Sequence, residues 1–329
     1  MREALRASYV LPLCWERETA GEREGLTAYL SWLAPLIEVL VVDASPAEVF
    51  AVHARLWAEQ VRHLRPDSVH DCSNGKVAGV LTGLRAAHHD RVVIADDDVR
   101  YDDRSLVEVL RRLDGCAVVR PQNYFDPLPW HALVDTSRSL LNRACGGDWP
   151  GTLAVHRGAL AGGYRGDVLF ENLELVRTVR AGGGREAVAR DIMVRRLPPR
   201  TTRFLSQRVR QAYDELARPW RLVAALCVLP LTIELAHRRR WRALVGAAAA
   251  VCGVAEGGRR RDGGQRVFPA TASLLAPVWV LERGIASWLA LVARARGGMP
   301  YRGRRIRAAA SSMPELRRRA RSAGPLPAA

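Results

Sequence analysis

Residues 91–103 read RVVIADDDVRYDD, four apolar residues running directly into three aspartates. A short apolar run bounded by polar residues reads as a buried strand. Like charges massed at its end repel one another unless the loop is fully solvated or a cation sits among them. The flanks repeat the strand theme. ASYVLPL (7–13) reads as a strand closing near Pro12, IEVLVVDAS (37–45) as a second strand ending on Asp43, and CAVVRPQ (116–122) as another. Between them lie helical patterns: LTAYLSWLAPL, SPAEVFAVHARLWAEQVRHL, GKVAGVLTGLRAAHH entered through Asn74-Gly75, and RSLVEVLRRLDG with Asp102-Asp103 at its start. Strands alternating with helices imply an α/β layer around a largely parallel sheet. In such sheets ligands gather beyond the carboxyl ends of the strands, so Asp43 and Asp96 are expected to face one crevice.

Charge divides the chain. Residues 1–200 hold 26 basic and 27 acidic side chains, and residues 201–329 hold 24 and 7. Within the total of +16, the first part is nearly neutral and the second strongly basic. The second part interleaves its arginines with apolar blocks, at 219–236, 241–255 and 268–293, in place of any nucleic-acid motif. That pattern, with Trp220, Trp241 and Trp288 beside the blocks, points to a membrane interface and not to nucleic acid. Every flank is basic, which keeps each on the cytoplasmic side and leaves the number of crossings open. The tail ELRRRARSAGPLPAA reads as a basic helix that frays. Three regions are expected: a catalytic domain over 1–215, membrane-associated helices over 216–300, and a basic, partly disordered tail over 301–329. The opening MREALRASYVLPLCWERE lacks a run long enough for a signal peptide. The six cysteines form no C-x-x-C pair and read as reduced cytosolic thiols. The expected location is therefore the cell membrane, with the catalytic domain facing the cytoplasm. Forty-nine of the 50 basic residues are arginine, so the single lysine, Lys76, stands out as a candidate functional group.

Aspartates at i and i+2 on an extended turn can point the same way and hold a hard divalent cation through oxygen ligands. Asp96-Asp97-Asp98 resembles the D-x-D element of nucleotide-sugar glycosyltransferases. VLPLCWE resembles the opening of the inverting family 2 glycosyltransferases of GT-A fold: Pro12 and Glu16 match, while Trp15 replaces the usual Asn. Asp43 in VLVVDAS is similar to that family's uridine-contacting aspartate, and Gly75 and Lys76 to its Gly-Lys helix. The block GTLAVHRGALAGGYRGDVLFENLELVRTVRAGG resembles the acceptor side, with Gly151, Thr152, Arg157, Gly162, Gly163, Glu171 and Leu175 in place. Gln207 and Arg210 fit a Gln-x-x-Arg element whose following Trp is here Gln211. GGMPYRGRRIR loosely resembles a stretch found after the membrane helices of lipid- and carotenoid-directed members.

The resemblance implies a GT-A fold and a Mg²⁺ or Mn²⁺ ion held by Asp98 and Asp96. It further implies donor contacts from Pro12, Glu16, Asp43, Gly75, Lys76 and Asp96, and acceptor or diphosphate contacts from Arg157, Gln207 and Arg210. Donor and acceptor are then a nucleotide sugar, UDP-linked, and a lipid-like hydroxyl compound. Asn172 stands where the family keeps its catalytic Asp and cannot accept a proton at neutral pH. Glu171 or Glu174 must then serve as general base. Two other readings are a nucleotidyltransferase making a sugar nucleotide and a membrane scaffold of the same fold that has lost its base. Against the nucleotidyltransferase, the loop PLCWERETAGERE has glycine only at Gly21.

Overall fold

The computed structural model describes residues 5–70, 72–301 and 303–322. The first half runs β1 (Ser8–Leu13), α1 (Ala20–Leu33), β2 (Glu38–Asp43), α2 (Ala47–Trp57), β3 (Arg62–Leu64), α3 (Gly75–Ala86), β4 (Arg91–Ala95), β5 (Val99–Arg100), α4 (Asp103–Leu113), β6 (Val118–Phe125), α5 (Trp130–Ala144) and β7 (Thr152–His156). It continues with α6 (Glu171–Ala181), β8 (Glu186–Arg196), α7 (Thr201–Ser206), α8 (Arg208–Tyr213), α9 (Pro219–His237), α10 (Trp241–Arg260), α11 (Ala270–Leu274), α12 (Ala276–Ala295), β9 (Met299–Tyr301), β10 (Arg304–Ile306) and α13 (Met313–Ser322).

Eight strands form one sheet in the order β3-β2-β1-β4-β7-β6-β8-β5. The pairs β2–β3, β1–β2, β1–β4 and β6–β8 are parallel, and β7 runs antiparallel between β4 and β6. This is the α/β architecture with a mostly parallel sheet that the sequence implies. Side chains on a strand alternate faces. Tyr9 and Leu11 of β1 pack with Leu26, Leu30 and Leu33 of α1 and Leu106 and Leu110 of α4, while Val10 packs with Val80 and Leu84 of α3 and Val176 and Val179 of α6. Helices therefore cover both faces.

Local chemistry sets the helix starts. Asp102 caps α4 by accepting from the Ser105 amide at 2.7 Å, and its own amide donates to Ser105 Oγ at 3.0 Å. The expected helix over 45–64 is shorter than its pattern. It stops at Trp57, and Arg62–Leu64 becomes the edge strand β3, because pairing with Leu40–Val42 outweighs local amphipathicity.

The helical region is stapled to the sheet domain through α5. Arg143 is fully buried and donates to the carbonyls of Gly258 at 3.1 Å and Arg190 at 2.9 Å, and to Gln122 Oε1 at 3.2 Å. The Arg190 carbonyl is free to accept because β8 slips register against β6 there, Pro121 pairing with Ala189 and Gln122 with Met193. The α10–α5 contact leaves no room at Gly258, where an added Cβ would lie 1.9 Å from the Leu140 carbonyl oxygen and 2.9 Å from the Ala144 nitrogen. Both neighbours are backbone and cannot swing aside. Gly258→Ala is therefore expected to lose about 1–3 kcal/mol or more of stability by overpacking. A thermal melt of the purified variant checks this, and an unchanged midpoint would show that the two helices slide apart freely.

Residues 303–322, in the tail expected to be basic and partly disordered, fold onto the rest of the chain. The chain returns after α12 as the β9–β10 hairpin, and the amides of Leu169 and Phe170 donate to the carbonyls of Ala308 and Ala309 at 3.0 and 2.8 Å. The basic helix α13 follows, and the last seven residues lie outside the described ones.

Candidate active site

A cavity of about 300 Å³ opens at the carboxyl ends of β1 and β4, walled by the start of α3, the start of α6, α7–α8 and the apolar helices. Asn74, wholly buried, fixes the α3 wall. Its side chain accepts from the Lys76 amide at 3.1 Å and from the Tyr301 hydroxyl at 3.1 Å, and donates to the Val168 carbonyl at 3.0 Å. Lys76 thereby emerges from the first turn of α3 and reaches two carboxylates from distant parts of the chain, Asp96 at 2.5 Å and Glu171 at 2.7 Å.

The aspartate trio is not idle. Arg196, from the last residue of β8, places Nε 3.0 Å from both oxygens of Asp98 and Nη2 3.3 Å from Asp96 Oδ2. Trp15 donates its indole N–H to Asp97. Gly151 leaves room beside this turn: an added Cβ would sit 2.7 Å from Asp96 Oδ2 and 3.0 Å from the Arg196 guanidinium, so those side chains would have to shift. Burial pushes the Asp96 carboxyl up, but Lys76 and Arg196 hold it below its ordinary value. For Asp98, burial prevails, aided by the charges of Asp96 and Asp97, and the carboxyl is pushed up to about 6 despite Arg196. Asp96 and Asp98 thus present hard carboxylate oxygens from one turn, engaged here by Lys76 and Arg196, and such oxygens are of the type a small divalent ion takes.

The remaining expected residues divide. Pro12, Gly75, Gln207 and Arg210 line the same cavity, as do Lys76, Asp96, Asp98 and Glu171. Glu16 is exposed and outside the cavity lining, although Pro12 beside it is inside. Asp43 is a further correction. In the order β2-β1-β4 its strand lies two spacings from that of Asp96, or about 9.5 Å, and its carboxylate is enclosed. His53 Nδ1 lies 2.7 Å away, His63 Nε2 3.1 Å, and the Ser45 amide 2.8 Å. Arg157 sits at the opposite sheet edge, where β7 ends beside the start of β4, and its guanidinium donates to the Ala87 carbonyl at 2.7 Å. Glu174, one turn beyond Glu171, is wholly buried away from the cavity and accepts from the Ser311 amide at 2.5 Å. It anchors the returning C-terminal segment. Asn172 does face the cavity, its amide held by the Pro150 carbonyl at 2.9 Å.

Asp43, His53 and His63 bring one ligand atom each within 4.8 Å of one another. Both nitrogens of His53 are already engaged, Nε2 with Glu18 at 2.8 Å and Nδ1 with Asp43, while His63 Nδ1 is buried with no partner among the described residues. Burial would lower the His53 pKa, but these two carboxylates more than offset it and raise it; burial would raise the Asp43 pKa, but hydrogen bonds from His53, His63 and Ser45 hold the carboxyl low. The histidine's stabilising contribution is therefore full below about pH 6.5 and lost as pH rises through the higher folded-state value. The Asp43 contribution is present above about pH 3.9 and fades as pH falls through its depressed value. His53→Ala is expected to cost about 3 kcal/mol near pH 6, with the gap from the parent narrowing as pH rises. Denaturant unfolding at pH 6 and pH 9 measures both, and a pH-independent gap would contradict an imidazolium at this position.

Sequence reasoning missed Arg196, whose place depends on β8 lying beside β5, and Asp214. Gln207, Arg210, Gln211 and Asp214 fall at i, i+3, i+4 and i+7 and all line the cavity. Burial pushes the Asp214 carboxyl up to about 7, and its Oδ1 and the Gln211 Oε1 have no partner among the described residues.

No family model matches the chain. A curated relative, the molybdenum cofactor guanylyltransferase of Pseudomonas entomophila (strain L48), is 41% identical over 58 residues, which is 16% of this chain and 30% of that protein. The match thus spans under a third of that relative's length. Among solved structures, the mannosyltransferase PcManGT from Pyrobaculum calidifontis, in complex with GDP-Man and Mn²⁺, aligns with a TM-score of 0.46 and 21% identity, covering 91% of this chain and 77% of that one. Mannosyl-3-phosphoglycerate synthase from Rubrobacter xylanophilus aligns at 0.44 and 18%, covering 66% and 74%. Glucosyl-3-phosphoglycerate synthase from Mycobacterium tuberculosis, solved with Mn²⁺, UDP and glucosyl-3-phosphoglycerate, aligns at 0.41 and 19%, covering 61% and 74%.

Proposed function

We propose that this chain is a membrane-associated, inverting glycosyltransferase of the family 2 type. It moves a hexose from a nucleotide-sugar donor, UDP-linked, to a hydroxyl of a lipid-like acceptor. The observation that carries the reading is the meeting of Lys76, Asp96, Asp98 and Glu171 at one cavity beyond the sheet's carboxyl edge. Three separate parts of the chain supply these residues, the start of α3, the turn after β4 and the start of α6, and their chemistry is that of binding and cleaving a diphosphate ester. Asp98 and Asp96 would hold Mg²⁺ or Mn²⁺. When bound, the ion supplies positive charge to the departing nucleoside diphosphate.

The chain's own residues do the rest. Lys76 and Arg210 add fixed positive charge around the diphosphate. Glu171 takes the proton from the acceptor hydroxyl, whose oxygen forms its bond to the anomeric carbon as the bond to the diphosphate oxygen breaks. Attack from the face opposite the leaving group inverts the centre. Trp149 and Phe170, packed edge to face at 5.1 Å, form an apolar wall beside Asn172.

Membrane association rests on the helices after residue 218. Pro219–His237 and Ala276–Ala295, with mean hydropathy 1.5 and 1.3, are long and apolar enough to cross a membrane. Trp220 is 87% exposed, and Leu231, Ile233, Trp241 and Leu274 also face outward. Such a surface suits the interface of the cytoplasmic leaflet.

The guanylyltransferase match supports a second reading, a nucleotidyltransferase. One assay separates the two. The purified protein in detergent is incubated with Mn²⁺, a panel of radiolabelled UDP- and GDP-sugars and a lipid extract, and in parallel with nucleoside triphosphates and sugar 1-phosphates. Radiolabel passing into the organic phase from a nucleotide sugar, and lost with EDTA, is the expected result. Product only from the triphosphate arm would overturn it.

A further inference from the structure

Arg283 lies in the middle of the apolar helix α12, lines the cavity and is only 4% exposed. Its Nε and Nη1 have no hydrogen-bond partner among the described residues, and its guanidinium rests over the Trp279 ring at 5.0 Å. A buried guanidinium without a counter-charge is costly. Asp214 apart, the carboxylates near it are already committed. Glu282 pairs with Arg208 at 2.8 Å. Asp135 pairs with Arg208 at 2.9 Å and Arg138 at 3.2 Å. Glu215 is shared by Arg218 at 2.9 Å and Arg221 at 3.2 Å. Arg218 and Arg221 line the same end of the cavity, and Arg218 Nε is also buried without a partner. Three guanidinium groups there face one fully engaged carboxylate, Glu215, and the partly neutral Asp214, which leaves a surplus positive charge.

We propose that Arg283, Arg218 and Arg221 form a subsite for a phosphate group carried by the acceptor. Several N–H donors and the surplus charge suit a phosphate better than a neutral hydroxyl group. The subsite lies on the helices that carry the exposed apolar surface, whereas the donor end is marked by Pro12, Lys76 and Asp96 on the sheet edge. A molecule with its phosphate on Arg283 can lay an apolar tail along α9 and α12 and present a nearby hydroxyl toward Glu171. This assignment rests on the transferase reading above for which substrate the phosphate belongs to, although binding of the phosphate itself does not.

The test is calorimetric titration of the full chain in detergent, without nucleotide, with three probes: dihexanoyl phosphatidic acid, glycerol 3-phosphate and dihexanoylglycerol. Both phosphate probes are expected to bind at least about tenfold more tightly than dihexanoylglycerol, and Arg283→Met to erase that preference while Mn²⁺·UDP binding persists. Tighter binding of the phosphatidic acid than of glycerol 3-phosphate identifies a lipid source, and the reverse a soluble one. Melting curves guard against misfolding. Without ligand the methionine variant should melt at or above the parent temperature, and phosphatidic acid should raise the midpoint of the parent alone. Equal affinity for all three probes, an unchanged preference in the variant, or displacement of the phosphate probes by Mn²⁺·UDP would each overturn the proposal. Failure of the transferase reading shows separately, as absence of Mn²⁺·UDP and Mn²⁺·GDP binding.

Discussion

Asp98→Ala is expected to abolish divalent-dependent sugar transfer, lowering kcat/KM by about 10³-fold or more. Asp98 lies on the turn after β4 with both oxygens on the Arg196 guanidinium. If Asp98 and Asp96 hold the ion as proposed, removing the carboxylate would take away half of that grip and leave Arg196 to repel the ion. Asp98→Asn keeps the shape and should lose nearly as much, which separates charge from packing. Titration of Mn²⁺ with UDP should show the affinity for the pair falling in step with activity, while circular dichroism stays that of the parent. Normal metal-dependent turnover in either variant would instead make Asp98 a structural partner of Arg196.

The second large effect belongs to the base. Glu171→Gln is expected to lower kcat by about 10²–10⁴-fold, the usual contribution of a positioned proton acceptor, with the donor KM changing by about threefold or less. Glu171 opens α6 in the cavity, and Glu174, one turn on, is turned away to Ser311. Glu174→Gln should therefore act on stability and leave the pH profile of the reaction alone. Asp214 is the internal control. Its carboxyl is pushed up to about 7 by burial, so a reaction that used it would quicken as pH rises through 7. A flattened profile and the larger loss in Asp214→Asn would move the proton-accepting role from Glu171 to Asp214.

The sequence carries the first half of the fold through local patterns. Alternation in YVL puts Tyr9 and Leu11 on one face and Val10 on the other, and Asp102 caps its helix as its position implies. Lys76, Asp96 and Glu171 were legible because each opens or closes an element beside a motif. What stayed hidden depends on distant pairing. β3 is three residues long and continuous with a helical pattern, so only its partner β2 makes it a strand. Arg196 looks like any arginine in an arginine-rich chain until β8 pairs with β5 and delivers it to Asp98. Asp43 ends its strand as expected, yet the two histidines that enclose it come from α2 and β3, and no local spacing reveals them. Glu171 and Glu174 are equivalent in sequence and part ways only because residues 308–311 fold back over α6.

That fold-back has a consequence for biogenesis. The amide of Phe170 and the carboxylate of Glu174, flanking Glu171, find their partners in Ala309 and Ser311. Those partners leave the ribosome only after the apolar helices have been made. A nascent chain therefore holds this wall of the cavity unfinished until those helices and residues 308–311 have emerged. By the same logic a fragment ending at residue 215 would lack one side of its own cleft.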